Sequence, residues 1–189
     1  EANHAGSTAM ADRKDALVAA AGFINKVPEI VKEYGNEFTV ATVGTIKVTP
    51  HSVNVIPGTC TFSLEIRDQS AEVMKLIENH LRQLLEDICK KYGVTSTFVP
   101  TSYHDPAPMS ELVRGTIEEA VKELGIDYTV IPSGAFHDSL IMTSVFPTGM
   151  IFVPSKDGIS HSRYEYTAPE DIENGCNVLL NTVLKLDEK

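Results

Sequence analysis

The chain has 189 residues, of which 42% are hydrophobic and 22% are charged, a balance typical of globular proteins. Its formal charge of −10 disfavours nucleic acid and anionic membrane surfaces as partners, and no apolar run approaches the roughly 20 residues needed to span a bilayer. No secretory leader is recognisable, and the cysteines at 60, 89 and 176 lie far apart without CxxC spacing. This pattern favours reduced thiols in a cytoplasmic protein.

The first elements predicted along the chain are a helix and an alternating strand. Asp12 to Val27 is amphipathic and predicts a helix that Pro28 should kink or end. Residues 38–48 alternate and predict a half-buried antiparallel strand. Its apolar face is predicted to consist of Phe38, Val40, Ile46 and Val48.

A second strand and the strongest helix follow. Residues 59–67 alternate more regularly, and Ser70 to Tyr92 carries apolar residues at helical spacing. Residues 95–101 form a weaker strand candidate. If a strand precedes the first helix, the order becomes βαββαβ, the ferredoxin-like arrangement within a mixed α/β (α+β) fold. The chain opens at Glu1 without a Met, so we expect it to be part of a longer protein.

A change of composition near residues 103–108 predicts a boundary between domains 1–105 and 106–189. Met109 to Leu124 predicts an amphipathic helix closed by Gly125. Pro169 opens a last helix. Its predicted apolar face comprises Ile172, Leu179, Leu180 and Val183. This second domain combines predicted strands and helices but is too small to complete a sheet of its own.

Two histidine-bearing loops lie in the second domain, one on each side of a short apolar run. His137 follows the run 128–131 and the small residues Ser133, Gly134 and Ala135, which suit a tight turn at a ligand. Residues 149–153 predict a buried strand, and His161 lies in the loop beyond it. Imidazoles on such loops serve as metal ligands or proton carriers. Each histidine equally fits a role in a loop hydrogen bond.

Three stretches carry a resemblance to a known family: NHAGSTAM at 3–10, SGAFHDS at 133–139 and GMIFVPSKDGISHSRYE at 149–165. They resemble the metal-dependent amidohydrolases that include N-carbamoyl-L-amino-acid hydrolase, allantoate amidohydrolase and β-ureidopropionase, within the wider zinc aminopeptidase and carboxypeptidase superfamily. Three positions depart from the family pattern. Ala9 replaces the usual Pro, Phe136 the usual Gly and Ser139 the usual Ala, so the pocket is expected to differ in shape.

The resemblance implies roles for individual residues. His161 corresponds to a metal ligand, His137 faces the substrate, and His4 helps to polarise the scissile carbonyl. Asn54 and Arg67 correspond to substrate contacts of the lid domain. An amide offers both a donor and an acceptor, and a guanidinium grips a carboxylate bidentately.

The small residues before His137 add a further expectation, since the backbone N–H groups of Ser133, Gly134 and Ala135 suit a substrate carboxylate. The resemblance also implies two divalent metals per site (Zn, Mn, Co or Ni) and a homodimer formed through the lid. Most metal ligands of the family come from a region that precedes the lid. The chain is therefore expected to comprise the lid plus the C-terminal part of the catalytic domain, and to be inactive alone.

The predicted activity is hydrolysis of a C–N bond in an N-carbamoyl amino acid, allantoate or a similar ureido acid that bears a carboxylate. Two alternatives stay open. One is an aminoacylase or dipeptidase of the same superfamily. The other is a non-catalytic dimerisation or ligand-binding module.

Overall fold

The chain combines helices with short antiparallel strands, which confirms the mixed α/β class. The computed structural model describes residues 1–189 and contains two units, Glu1–Pro106 and Ala107–Lys189. None of the helices combines the length and the apolar character needed to cross a membrane.

Helix α1, Ala16–Tyr34, begins at an N-cap aspartate and continues past a proline. The Asp15 carboxylate accepts hydrogen bonds from the backbone N–H groups of Leu17 and Val18, at 2.9 and 3.1 Å. Of the two outcomes predicted for Pro28, a kink or an end of the helix, the second is wrong, because the helix continues to Tyr34. Residues on both sides of Pro28 pack on the same core, and this tertiary packing outweighs the lost backbone hydrogen bond.

Helix α2, Ala71–Tyr92, matches its predicted range closely. The Ser70 hydroxyl caps its N-terminus by accepting from the Val73 N–H, and Gly93 ends it in the left-handed region at φ 62°. α2 lies against α1. Their buried contact forms the core of the first unit, made of Phe23, Val27, Ile77 and Leu81.

Six strands form three antiparallel pairs in the first unit. β1 pairs with β4, β2 with β6, and β3 with β5. Helix α1 packs against β2 and β5, and α2 packs against β6. The strands are β1 Asn3–His4, β2 Val40–Thr42, β3 Ile46–Thr49, β4 Val55–Ile56, β5 Thr59–Phe62 and β6 Glu65–Arg67.

The two long predicted strands are each divided in two by a β-bulge. Residues 43–45 separate β2 from β3, whereas only residues 63 and 64 separate β5 from β6. One strand therefore carries an extra residue, which reverses the direction of its side chains across the bulge. The Ser63 Oγ holds the bulge by accepting from the Thr45 N–H at 3.0 Å.

The bulge corrects the predicted apolar face of residues 38–48. In β2, Ala41 pairs with Ile66 on the core side, while Val40 pairs with Arg67 on the outer side. Phe38 and Val40 are accordingly 43% and 52% exposed. The alternation predicted for residues 59–67 is confirmed, since the even-numbered side chains are partly buried from Cys60 to Ile66.

The strand predicted at residues 95–101 does not form. The segment is exposed and pairs with no neighbouring strand, so β-branched residues alone do not suffice. Phe98 lies instead beneath the Arg82 guanidinium, whose central carbon is 3.6 Å from the ring centroid.

The second unit contains three helices, α3 Glu111–Glu123, α4 Asp138–Met142 and α5 Pro169–Asp187. α3 packs against α5. The buried side chains at this contact are small, and they comprise Thr116, Ala120 and Val121 on α3 and Val178 and Thr182 on α5.

The strands predicted at residues 128–131 and 149–153 are extended segments without strand partners. The first is tied to α3 because the Tyr128 hydroxyl donates to Glu118 at 2.6 Å, a bond that raises the pKa of Tyr128. The second passes close to two helices. A Cβ on Gly149 would lie 2.7 Å from Val113 Cγ1, and one on Gly175 would lie 2.6 Å from Val153 Cγ1. These glycines admit the segment beside α3 and α5 without a β-ladder.

The apolar face predicted for α5 is exposed. Ile172, Leu179, Leu180 and Val183 are each at least 50% exposed, and the helix uses Val178 and Thr182 to contact α3. The apolar periodicity correctly predicts a helix. It does not specify which neighbouring element the apolar face contacts.

Candidate functional site

The predicted site residues are divided between the two units. His4, Asn54 and Arg67 belong to the first unit, whereas residues 133–137 and His161 belong to the second. Their functional roles stay predictions. The local structure nevertheless shows how each side chain is held.

The β1–β4 pair brings His4 and Asn54 together across about fifty residues of sequence. His4 lies opposite Val55 in the register, and the Ala5 N–H donates to the Asn54 carbonyl at 2.8 Å. Both side chains are exposed. The backbones of His4 and Asn54 thus lie close together at one end of a short ladder.

The loop that follows His4 is closed by hydrogen bonds to its own backbone. The His4 carbonyl accepts from the Ser7 N–H at 3.2 Å and from the Thr8 hydroxyl at 3.0 Å. The Gly6 N–H donates to His4 Nδ1 at 3.1 Å, so the ring itself is part of the turn.

Arg13 anchors this loop from outside. Its Nη2 donates to the Ala5 carbonyl at 2.6 Å, and its Nε donates to the Thr8 carbonyl at 3.2 Å. Two donors of one planar group thereby fix two points of the loop backbone. The guanidinium is partly buried, which strengthens both bonds relative to exposed ones.

The Asn54 side chain is oriented by its own turn. The Ser52 hydroxyl hydrogen-bonds to Asn54 Oδ1 at 2.9 Å. His51, which opens the turn, lies in the left-handed region at φ 61°, a conformation that histidine tolerates better than most residues. The turn holds the Asn54 amide beside β1.

Arg67 lies at the end of β6, on the outer face that also carries Val40. Its Nη2 contacts Glu65 Oε1 at 2.7 Å, with the two side chains 40% and 59% exposed. An exposed pair of this kind contributes little to stability. It does show that the guanidinium is positioned where a carboxylate binds it.

In the second unit, residues 133–137 form a bend that leads into α4. The Ser133 hydroxyl donates to the Ala135 carbonyl at 3.1 Å, which closes the bend on itself. His137 is the N-cap residue of α4 and is half-buried. Its ring centroid lies 5.8 Å from that of Phe152, at an interplanar angle of 60°. Phe152 thus supports the imidazole from the extended segment at 149–153.

His161 is held in the left-handed region at φ 55°, within a loop closed by a hydrogen bond from the Lys156 N–H to the Tyr166 carbonyl at 2.8 Å. The Glu165 carboxylate accepts from the His161 N–H at 2.9 Å, and Ser160 Oγ lies 3.2 Å from His161 Nδ1. These contacts hold the backbone of an exposed histidine in a strained conformation.

The ligand groups for a metal do not converge in this chain. No three His, Cys, Asp or Glu side chains of residues 1–189 are grouped so as to hold a metal ion. A catalytic zinc site takes three protein ligands plus water. The residues present therefore do not fit a complete metal centre.

The sequence alone does not identify two residues that organise the site, Arg13 and Gly6. Arg13 reads as an ordinary solvated cation before a helix, and Gly6 as one of several small loop residues. No sequence signal marks either residue, because their role depends on the way in which the loop folds back. Glu165 lies beside His161 and accepts a hydrogen bond from the backbone N–H of that residue rather than from its ring.

The chain resembles known proteins along nearly its whole length. The model of peptidase family M20/M25/M40 matches residues 1–185. The chain belongs to this family. Its relatives include the N-carbamoyl-L-amino acid amidohydrolase of Geobacillus stearothermophilus, 40% identical over 185 residues, or 98% of this chain and 45% of the relative. The allantoate amidohydrolase of Bacillus subtilis is 34% identical over 98% of this chain and 45% of its own.

A crystal structure of AtUAH in complex with glyoxylate superposes with a TM-score of 0.92 and 35% identity. The match covers 100% of this M20-family chain and 45% of the other. The resemblance found in the sequence is thereby confirmed. The chain spans about half the length of the curated relatives it matches.

Arg13→Met should loosen the loop without unfolding the unit. The substitution removes two donors from the Ala5 and Thr8 carbonyls while keeping an aliphatic stem of similar length. Amide hydrogen exchange at residues 5–8 should accelerate, with α1 and α2 unchanged. Lys14→Met, which removes the same charge one residue later, is the control. Equal exchange rates in both variants would contradict the anchoring role.

Proposed function

We propose that this chain contributes to an amidohydrolase that cleaves a C–N bond of a small ureido acid, such as an N-carbamoyl amino acid or allantoate. The support is a match to amidohydrolases across nearly the whole chain, combined with the exposed residues His4 and Asn54, whose backbones are brought together by the β1–β4 pair. The relatives' substrates share a ureido or amide group, and this site offers complementary hydrogen-bonding groups.

His4 and Asn54 suit the polar centre of such a substrate. An imidazole N–H that donates to the scissile carbonyl oxygen stabilises the negative charge that develops during attack. The Asn54 amide pairs with a ureido group through both its donor and its acceptor. Their common ladder fixes the positions of the two residues along the backbone, which favours a single substrate orientation.

Arg67 suits the substrate carboxylate, and Ser133, Gly134, Ala135 and His137 suit substrate contacts from the second unit. Glu65 already engages the Arg67 guanidinium, so a bound substrate would compete with that contact or share it. Because the pair is exposed, the exchange costs little.

The proposal also includes a metal site in the longer protein. His161 is proposed as one ligand of a site with two divalent cations, which would activate water and polarise the carbonyl in the longer protein. The remaining ligands are proposed to come from outside the matched half. The first unit then acts as a lid, and the second as the C-terminal part of the catalytic domain.

The alternatives have weaker support. A Staphylococcus aureus tripeptidase superposes with a TM-score of 0.76 at 18% identity, a likeness that concerns the fold alone. A purely structural module would not require an exposed imidazole, an exposed amide and a guanidinium at these positions.

A chimera tests the function directly. This chain would replace the matching part of the Geobacillus stearothermophilus amidohydrolase, and hydrolysis of an N-carbamoyl amino acid would be measured. Arg67→Ala in the chimera should raise KM roughly ten- to a hundredfold, since a hydrogen bond to a charged group contributes about 1.5–3 kcal/mol. Arg67→Lys should recover part of the loss, and Arg82→Ala on α2 should behave like the parent. An unchanged KM in Arg67→Ala would rule out carboxylate binding by Arg67.

The chain by itself should neither turn over a ureido acid nor retain stoichiometric metal. The reason is that its His, Cys, Asp and Glu side chains do not assemble a three-ligand group. After incubation with zinc, manganese, cobalt or nickel and dialysis, metal content and ammonia release would be measured. Retained metal with turnover would show that the ligands lie within these residues after all.

We further propose that the first unit forms a homodimer through the edge of β2 and β3. Each of these strands pairs on one side only, and Val40 and Ile46 are both 52% exposed. Unprotected edges accept partner strands, and two identical edges close a dimer. Light scattering should give twice the chain mass, and Val40→Lys should lower it, whereas Leu76→Lys on α2 should not. A monomer at high concentration would refute this assembly.

A further inference from the structure

The contact between Gly6 and His4 indicates which ring nitrogen of His4 carries the proton. The Gly6 backbone N–H donates to His4 Nδ1 at 3.1 Å. An imidazole nitrogen accepts a hydrogen bond only through a free lone pair, so Nδ1 carries no proton. In the neutral ring the proton then resides on Nε2.

We infer that Gly6 is a positioning residue that holds His4 as its Nε2–H tautomer, with Nε2 directed away from the loop as a hydrogen-bond donor. The inference rests on the proposed function for the use of that donor, since a substrate carbonyl requires an N–H and not a lone pair. The tautomer itself follows from the loop geometry alone.

Residue 6 must also be small. A Cβ at this position would lie 3.1 Å from His4 Cε1, closer than ordinary van der Waals contact, and 3.4 Å from Nδ1, at the limit of such contact. Any other side chain would therefore displace the ring by a few tenths of an ångström or rotate it. Gly6 thus contributes both the N–H that selects the tautomer and the space that the ring occupies.

The rest of the loop keeps the Gly6 N–H in place. The His4 carbonyl accepts from Ser7 and Thr8, while Arg13 holds the carbonyls of Ala5 and Thr8. Gly6 lies between these fixed points. The direction of its N–H is consequently set by the loop backbone that these bonds hold in place.

The test is nuclear magnetic resonance on the isotope-labelled chain at about pH 8.5, two units above the ordinary imidazole pKa of ~6.5. The wild-type chain should show a scalar coupling through the hydrogen bond from the Gly6 amide nitrogen to His4 Nδ1. The two ring nitrogens should have the shifts of a single Nε2–H tautomer. Gly6→Ala should abolish the coupling and average the shifts toward a mixture.

Gly115→Ala is the matched control, because a Cβ there meets nothing within 4 Å. It should leave the His4 signals unchanged. The inference would be overturned if the wild-type chain showed averaged shifts of the His4 ring nitrogens and no coupling to the Gly6 amide. It would also be overturned if the Gly6→Ala variant gave the same His4 signals as the wild-type chain. Neither result depends on hydrolysis, so failure of the proposed activity remains distinguishable. In an active chimera, Gly6→Ala should lower kcat roughly tenfold or more with little change in KM.

Discussion

The packing of α1 on α2 is the contact on which the first unit depends. Phe23 and Val27 meet Ile77 and Leu81, and all four are at most 3% exposed. Burial of such side chains contributes about 1.5–3 kcal/mol each, which exceeds what any single surface contact in the unit supplies. This packing also explains how α1 continues through Pro28.

The core determines where the proposed substrate contacts can lie. Ile66 packs inward against the helices, and its neighbour Arg67 must then point outward, because successive side chains of a strand alternate. Ile56 is likewise buried at 2% exposure, which fixes β4 and with it the partner strand that bears His4. Buried apolar residues thus determine the direction of the neighbouring polar side chains proposed to bind a ligand.

The sequence predicted those features whose signal is contained within one segment. Helix α2 has its cap, its periodicity and its terminating glycine within a single stretch, and its range was therefore correct. The family resemblance likewise depended on local residues such as those around His4 and His161.

Features that depend on distant partners were not predictable. The adjacency of His4 and Asn54 arises from strand pairing, and no residue near either one records it. The runs at 128–131 and 149–153 have strand-like composition, yet a strand exists only where another backbone accepts its hydrogen bonds. The exposed stripe of α5 shows the same limit for helices, since periodicity identifies a face without naming its neighbour.

The bulge between β2 and β3 affects how this chain should be aligned with its relatives. Three residues connect β2 to β3, whereas two connect β5 to β6. This difference of one residue decides which β2 side chains face outward. A relative that lacks one residue near Gly44 would present the opposite set of β2 side chains to its surroundings. Gaps placed at this point of an alignment therefore carry structural meaning, and comparing β2 residues column by column is valid only among proteins that share the extra residue.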